Sequence, residues 1–215
     1  MPRPRTNGEG EPRADARGSW RPAHAAGYSL VEVLLVLFTA SVVLAIAVPV
    51  LDRAADSADA GAAARYVASV VARARFEAAR GQRAQALRFA RVPAVAFSVA
   101  ADGDGDGVSA ADVAAGVDPV IRPADRLGDH FPRARFGLAG TLPAIDEARV
   151  LTSADDPIRL GSADQLTLGP LGTATSGTLY IASRAGAQFA VRISGVTGRA
   201  RVLRFDPGPR VWRPY

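Results

Sequence analysis

The sequence contains no cysteine and no lysine, and it has only two histidines and one methionine among 215 residues. Without cysteine, neither disulfides nor thiolate-bound metals can hold the fold, so an exported domain must rely on packing, sheet hydrogen bonds or an oxygen-ligated ion. All 26 basic residues are arginines, which leaves a net charge of +5. These arginines are spread along the chain near acidic residues, a distribution that indicates a solvated surface.

The sequence also lacks the residue sets on which most catalytic sites are built. Beyond residue 27 it has one histidine, His130, in a Gly-Asp-His-Phe-Pro context that is typical of a loop. It has no G-x-S-x-G elbow and no H-E-x-x-H motif. We therefore expect that this protein is not an enzyme.

Residues 1–26 and residues 30–51 differ sharply in composition. The first segment is polar and rich in Arg, Pro, Gly and Ala, without periodicity, which predicts disorder. Its excess of positive charge favours the cytoplasmic side of a membrane. The second segment is apolar except for Glu32 at its start. As a helix rising about 1.5 Å per residue, it is long enough to cross the ~30 Å hydrocarbon core of a membrane.

Three interpretations of this apolar segment compete. A secretory signal peptide would be cut near Ala45-Ile46-Ala47, but the segment exceeds the usual apolar core of about 7–15 residues. A plain transmembrane anchor leaves Glu32 unexplained, because a carboxylate among lipid tails is unfavourable by a few kcal/mol unless it lies near the interface or is paired. The third interpretation, a prepilin-type signal, accounts for the glycine before the segment, the glutamate and the length together.

The stretch Gly27-Tyr28-Ser29-Leu30-Val31-Glu32 resembles the processing site of the type IV prepilin and type II secretion pseudopilin superfamily. In that family a leader ends in glycine, cleavage follows it, and a glutamate lies four residues after the new N-terminus. The new N-terminal residue is usually phenylalanine, for which Tyr28 stands here. Pro49 lies where many pilins carry a helix-bending proline.

This resemblance implies that residues 1–27 are a leader removed after Gly27 by a prepilin peptidase, and that Tyr28 is then N-methylated. It also implies that Glu32 sets the register of assembly by neutralising the new α-amine of a neighbouring subunit. A paired carboxylate is tolerated among packed apolar helices, whereas an unpaired one is strongly disfavoured.

The helix is predicted to continue past Pro49 to Arg80. Alanine dominates this part, and residues 67, 70, 71, 74 and 78 form one apolar stripe that predicts packing on a sheet. We expect Pro49 to kink or weaken the helix, Gly61 to be a soft point and Gly81 to end it.

Beyond Gly81, alternating apolar residues and turn signals predict strands. The predicted strands are 85–90, 94–99, 133–138, 158–160, 165–168, 178–182, 188–193 and 199–205. We therefore predict an α+β fold in which a long helix, residues 28–81, covers one face of an antiparallel β-sheet in a pilin-like domain, residues 82–215.

The C-terminal region carries a second resemblance, to the GspH/FimT-like branch of minor pseudopilins. It rests on the order of four segments behind the helix: Leu168-Gly169-Pro170, Ser176-Gly177-Thr178-Leu179-Tyr180, residues 189–194 and Thr197-Gly198-Arg199. The resemblance implies a filament subunit of a type II secretion system or type IV pilus that supports protein secretion. Its implied partners are other pilins or pseudopilins, the prepilin peptidase and the inner-membrane assembly platform. The implied location is a single pass through the inner membrane with a periplasmic C-terminal domain, followed by a periplasmic or surface filament.

An acidic, glycine-rich run lies within the loop 101–118. Asp102, Asp104 and Asp106 alternate with glycines as in the first half of an EF-hand-like loop, where the Val108 carbonyl would add a ligand. The glutamate expected at the twelfth loop position is absent, and the nearest carboxylate is Asp112. Two interpretations stay open, a shortened calcium site and a flexible acidic turn.

Arginines also concentrate near the C-terminus, in the company of Trp212 and Tyr215. They are Arg199, Arg201, Arg204, Arg210 and Arg213. Arginines contact phosphates and aromatic rings stack on bases, so an alternative function is that of a FimT-like minor pilin that binds DNA for uptake. The competing interpretation is an edge strand protected by charge from aggregation.

Overall fold

The structure, a computed structural model, describes residues 28–91, 94–161 and 165–215. The predicted leader, including Gly27, lies outside these described residues. The chain divides into two compact units, Met1–Ala45 and Ile46–Tyr215. In the first unit, residues 30–45 are helical, and each described residue is exposed. The second unit holds all the strands of the described chain.

Helix α1 extends from Leu30 to Gly81, one residue past the predicted end. It continues through Pro49, so the proline, which cannot donate a backbone hydrogen bond, does not end the helix. The large apolar side chains of residues 30–51 are exposed, and this stretch is long and apolar enough to cross a membrane.

The later part of α1 buries a stripe of small apolar side chains, as predicted. The buried apolar residues are Ala60, Ala63, Ala64, Val67, Val70, Val71, Ala74 and Ala78. Gly61, the expected soft point, lies within the continuous helix and is buried, and a Cβ there would lie 2.7 Å from the Tyr215 hydroxyl oxygen. Small residues along this face allow the helix to approach the sheets closely.

Twelve strands and two short helices follow α1 in the described chain. In chain order they are β1 (Gln85–Ala90), β2 (Ala96–Ala101), α2 (Ala110–Ala115), β3 (Val120–Arg126), α3 (Leu127–His130), β4 (Ala134–Phe136), β5 (Leu142–Pro143), β6 (Val150–Leu151), β7 (Ile158–Arg159), β8 (Gln165–Leu168), β9 (Gly177–Ser183), β10 (Gln188–Ile193), β11 (Ala200–Asp206) and β12 (Val211–Pro214). They pair in antiparallel fashion in two main sheets, ordered β3-β2-β1-β8 and β12-β11-β10-β9-β4, with β7 also on β9 and β5–β6 as a separate pair. The predicted α+β class is confirmed.

The three predicted strands that match the observed bounds are β1, β8 and β10. Strand β2 begins two residues later than predicted and β11 one residue later, and β4 is shorter than its prediction. Strands β3 and β12 escaped prediction because most of their residues are exposed and each contains a proline, so neither shows a clear apolar alternation.

The main core joins the small residues of α1 to one face of both sheets, with Leu87, Phe97, Leu166, Ile181 and Val191 among its buried members. A smaller cluster covers the other face of the second sheet, around the fully buried ring of Tyr180. A third, around Val108, lies between the other face of the first sheet and the loop 101–118. Helix α1 is thus the central packing element of the second unit.

Candidate functional site

The predicted processing and assembly residues lie at the start of α1. Ser29 caps the helix by accepting a hydrogen bond from the Val31 amide at 3.3 Å, and its carbonyl accepts one from Val33. Glu32 lies in the first helical turn, where the helix dipole favours a negative charge. Tyr28 and Glu32 border one shallow cleft, and within the described residues Glu32 forms no ion pair.

Three aspartates of α1 follow the exposed apolar stretch and hold the helix to two loops of the second unit. Asp52 pairs with the Arg133 guanidinium at 2.5 Å, and Asp59 accepts a hydrogen bond from the Arg133 amide at 2.8 Å. Asp56 is buried and accepts a hydrogen bond from the Ala185 amide at 2.6 Å. The spacing of four and three residues places all three on one side of the helix.

Opposing influences act on the pKa of Asp56. Burial raises it, but hydrogen bonds from Ser183 and Ala185 and the positive charge of Arg133 together leave the pKa of Asp56 below its ordinary value. The carboxylate therefore stays ionised at neutral pH and stabilises the docked helix. Sequence reasoning missed this set, because three aspartates on a helix look like a solvated face until their loop partners are known.

The acidic turn, defined here as residues 102–107, brings three of the predicted calcium ligands together. One carboxylate oxygen from each of Asp102, Asp104 and Asp106 lies within 4.8 Å of the others. Repulsion by the Asp104 carboxylate raises the pKa of Asp106 above its ordinary value. Three converging carboxylates fit a hard cation such as calcium, although calcium prefers six to eight oxygen ligands.

The two other predicted ligands are directed elsewhere. The Val108 carbonyl accepts a hydrogen bond from the Gln165 side chain at 2.7 Å, and the Asp112 carboxylate accepts one at 2.5 Å from Ser109, the residue that caps α2. A bound cation would therefore be held by the three turn carboxylates, with water completing its coordination. Calcium stays a prediction.

Asp118, which sequence reasoning did not single out, closes the loop from its far end. Its buried carboxylate accepts hydrogen bonds from the amides of Gly103 and Ser109, both at 2.9 Å. Asp102 similarly accepts from Gly105 and Gly107 within the turn. The loop is thus organised by its own hydrogen bonds, and both interpretations of the acidic run stay predictions. No local pattern distinguishes Asp118 from any other loop aspartate.

The predicted arginine cluster does not form one surface. Along β11, Arg201 lies on the face that carries Leu203 and Phe205, whereas Arg204 lies on the opposite face, next to Arg213 of β12. Arg199 precedes the strand and Arg210 follows it, so they lie at opposite ends of an element roughly 20 Å long.

The accompanying aromatic residues also have partners inside the protein. Trp212 donates a hydrogen bond to the Pro143 carbonyl at 2.9 Å and packs on Tyr180 and Phe205. Tyr215 packs between the Phe189 ring and the Arg65 guanidinium. Both rings are thus engaged within the protein, Tyr215 with 46% of its surface still exposed, and this engagement weakens the physical basis for DNA binding through this cluster.

His130, whose context predicted a loop, is the last residue of the short helix α3 and belongs to a small polar network. Its Nε2 lies 2.9 Å from Asp125, which also accepts a hydrogen bond from the Tyr66 hydroxyl at 2.5 Å. That hydrogen bond and burial raise the pKa of Tyr66 to about 12. The phenol therefore stays protonated, and the network fastens β3 and α3 to α1.

Comparison of the chain with models of known protein families, with curated proteins and with solved structures finds no match. The likeness to pilins therefore rests on the residues around Gly27 and Glu32 and on the architecture. A long N-terminal apolar helix whose later part packs on antiparallel sheet is compatible with a pilin-like fold.

Proposed function

We propose that this chain is a minor pilin or pseudopilin, a filament subunit of a type II secretion system or type IV pilus that supports protein secretion. In this proposal, a prepilin peptidase cleaves it after Gly27, Tyr28 is methylated, and the subunit assembles through the first part of α1. The protein has no catalytic role of its own. The observation that supports the proposal best is the single helix α1, which is apolar and exposed over residues 30–51 and buried on the sheets from Ala60 onward.

The exposed apolar stretch needs an environment other than water. Side chains such as Leu37, Phe38 and Ile46 are more than half exposed, and a contiguous apolar surface of this length is rare on a soluble monomer. Lipid covers it before assembly, and the helices of neighbouring subunits cover it in the filament. The same surface serves both states because both are apolar.

Glu32 is the polar exception, and its position suits a pairing role. It lies four residues from Tyr28, whose α-amine is created by cleavage. A neighbouring subunit shifted along the filament brings its amine to this carboxylate, which removes an unpaired charge from the helix bundle. Subunits in any other register leave both charges unpaired.

The proposed location follows from the two flanks of the helix. The arginine-rich leader remains in the cytoplasm, where the peptidase acts, and the β-domain lies in the periplasm. After cleavage the subunit leaves the inner membrane with the help of the assembly platform and enters a periplasmic or surface filament with other pilins or pseudopilins.

The decisive experiment is intact-mass measurement and N-terminal sequencing of the protein from membranes, with and without a co-expressed prepilin peptidase. We expect a peptidase-dependent start at Tyr28 with one added methyl group. Gly27→Leu is expected to block cleavage, and Glu32→Gln is the control that should still be cleaved. A start at Val48, or an uncut chain beside a known substrate that is cut, would contradict the proposal.

A further inference from the structure

Arg75 occupies a slot between two tight turns at the end of the second unit where α1 ends. A Cβ on Gly198 would lie 2.9 Å from the Arg75 Cδ, and one on Gly172 would lie 3.4 Å from its Nη2. Both glycines have positive φ angles, 60° and 86°, so the turns depend on them for shape as well as space. The two turns therefore enclose the arginine stem.

The guanidinium in this slot lacks a partner. Its Nε is buried without a hydrogen-bond acceptor, and no carboxylate of the described residues forms an ion pair with it. A buried donor left without an acceptor is uncommon in folded proteins, since each costs free energy. Arg75 as a whole is only partly buried, so an anion from outside the described chain can reach its terminal nitrogens but not the buried Nε.

Each turn also carries a large aliphatic side chain at its tip. Leu171 is 89% exposed and Val196 is 84% exposed, higher values than for any other large apolar side chain of the described second unit. The two turns are adjacent, because the Ala174 amide donates a hydrogen bond to the Gly195 carbonyl at 2.8 Å. Aliphatic side chains around an unpaired cation form a surface typical of protein contacts rather than of contacts with nucleic acid.

The acidic turn emerges from the same end of the first sheet. Strands β2 and β8 flank β1, and both Ala101 and Leu168 lie opposite Gln85. The acidic turn and the Leu171 turn therefore leave neighbouring strand ends about 10 Å apart. No cation of the described residues pairs with Asp104 or Asp106. One end of the domain thus presents unpaired charges of both signs beside exposed aliphatic groups.

We propose that this end of the domain binds a second copy of the chain in a two-fold symmetric contact. The acidic turn of each copy faces Arg75 of the other, and Leu171 and Val196 pack between the two ion pairs. Two-fold symmetry fits because both complementary patches lie at the same end of the domain and each is used once by each copy. This contact does not involve residues 27–51, so it stands independently of the proposed assembly helix.

The test is sedimentation velocity of the full chain in mild detergent, over a range of protein concentrations and at low and high salt. We expect a dimer that weakens as salt rises. Arg75→Glu alone, and Asp104→Arg with Asp106→Arg, should each weaken it about tenfold or more, and the three changes combined should restore it. Arg126→Glu is the matched control, since it reverses an exposed arginine at the other end of the first sheet.

A further double variant keeps the test independent of folding. Leu171→Ser with Val196→Ser changes side chains that are almost fully exposed, so it should weaken the dimer without changing the melting temperature. A monomer at all concentrations, or a dimer that none of these variants changes, would overturn the proposal. Binding of duplex DNA or anionic vesicles that requires Arg75, without a dimer, would overturn it as well.

Discussion

The two parts of helix α1 on either side of Asp52 differ in the size of their apolar side chains as well as in exposure. Before it, leucine, valine, isoleucine and phenylalanine side chains are exposed, and after it alanine and valine are buried. Large side chains suit contact with lipid or with other helices, whereas small ones let a sheet approach the helix axis. One helix therefore carries two kinds of apolar surface, and Asp52, Asp56 and Asp59 lie where they meet and anchor the helix to loops.

The largest difference between the two parts of α1 is expected when the same substitution, valine to aspartate, is made in each. Val71→Asp buries an unpaired carboxylate in the main core, where Val71 is 0% exposed, and should lower the free energy of unfolding by more than about 4 kcal/mol. Val43→Asp, at a position 64% exposed, should leave it unchanged. Chemical denaturation in detergent monitored by Trp212 fluorescence measures both, and equal effects would refute the division.

Two glycine-to-alanine substitutions in α1 form a matched pair, for which a smaller effect on stability is expected. Gly61→Ala brings a methyl group against the Tyr215 ring and should destabilise the protein by about 1 to 2 kcal/mol, since the 46% exposed ring of the last residue can shift in part. Gly81→Ala, which has nothing within 4 Å of its Cβ position, is the control and should be neutral or slightly stabilising. A neutral Gly61→Ala variant would mean that the Tyr215 contact is easily displaced.

The aspartates of α1 allow a third test, by mutation and by pH. Asp56→Ala removes the acceptor for the Ala185 amide and should cost about 2 kcal/mol, whereas Asp52→Ala, in a largely exposed ion pair, should cost under about 1 kcal/mol.

The pH dependence of Asp56 has a defined direction. Because its pKa is lower in the folded protein than its ordinary 3.8, its contribution is complete above that value and is lost as the pH falls through the folded pKa. Urea denaturation from pH 6 to about pH 2.5 should show a steeper loss of stability in the parent than in Asp56→Ala. Parallel curves would contradict this role.

The converging carboxylates of the acidic turn offer a comparison with the ion-paired and hydrogen-bonded aspartates of α1. One carboxylate oxygen from each of Asp102, Asp104 and Asp106 lies within 4.8 Å of the others, so calcium at ten times a Kd of roughly 0.1–1 mM should raise the free energy of unfolding by about 1.4 kcal/mol. Asp104→Asn with Asp106→Asn should abolish the effect and should itself stabilise slightly by removing repulsion. Calorimetric titration with calcium, with magnesium as control, measures this binding. If no heat is measured at millimolar calcium, the calcium site is excluded and the acidic turn is held by its own hydrogen bonds alone.

The smallest effect is expected for the C-terminal arginines. Arg199→Ala with Arg201→Ala should leave stability unchanged, because both side chains are exposed. If the alternative function in DNA uptake holds, this variant loses a salt-dependent affinity for duplex DNA, as measured by fluorescence anisotropy. Arg213→Ala, whose guanidinium already pairs with Asp206 at 3.1 Å, is the control. Affinity equal to that of the parent would exclude the patch.

Local patterns predicted most of the fold. The helix bounds and three strands followed from apolar periodicity and glycine, because these signals depend on neighbouring residues alone. Strand β3 was missed because an exposed edge strand with Pro123 carries no alternation. At the acidic turn, the sequence predicted the three converging carboxylates, since alternate positions of a glycine-rich turn point inward. It did not reveal Asp118, whose partners lie nine and fifteen residues away.

By itself, the sequence determined the apolar stretch, the position of Glu32 relative to Gly27, the buried stripe of α1 and the α+β class, because each is a property of residue type and spacing along the chain. Only the tertiary structure decided three other relations. The Tyr215 ring packs against Gly61, Arg75 lies between two turns without a partner, and Arg201 and Arg204 lie on opposite faces of β11. These relations depend on which strands pair and in which register, and that is fixed by contacts between residues far apart in the chain.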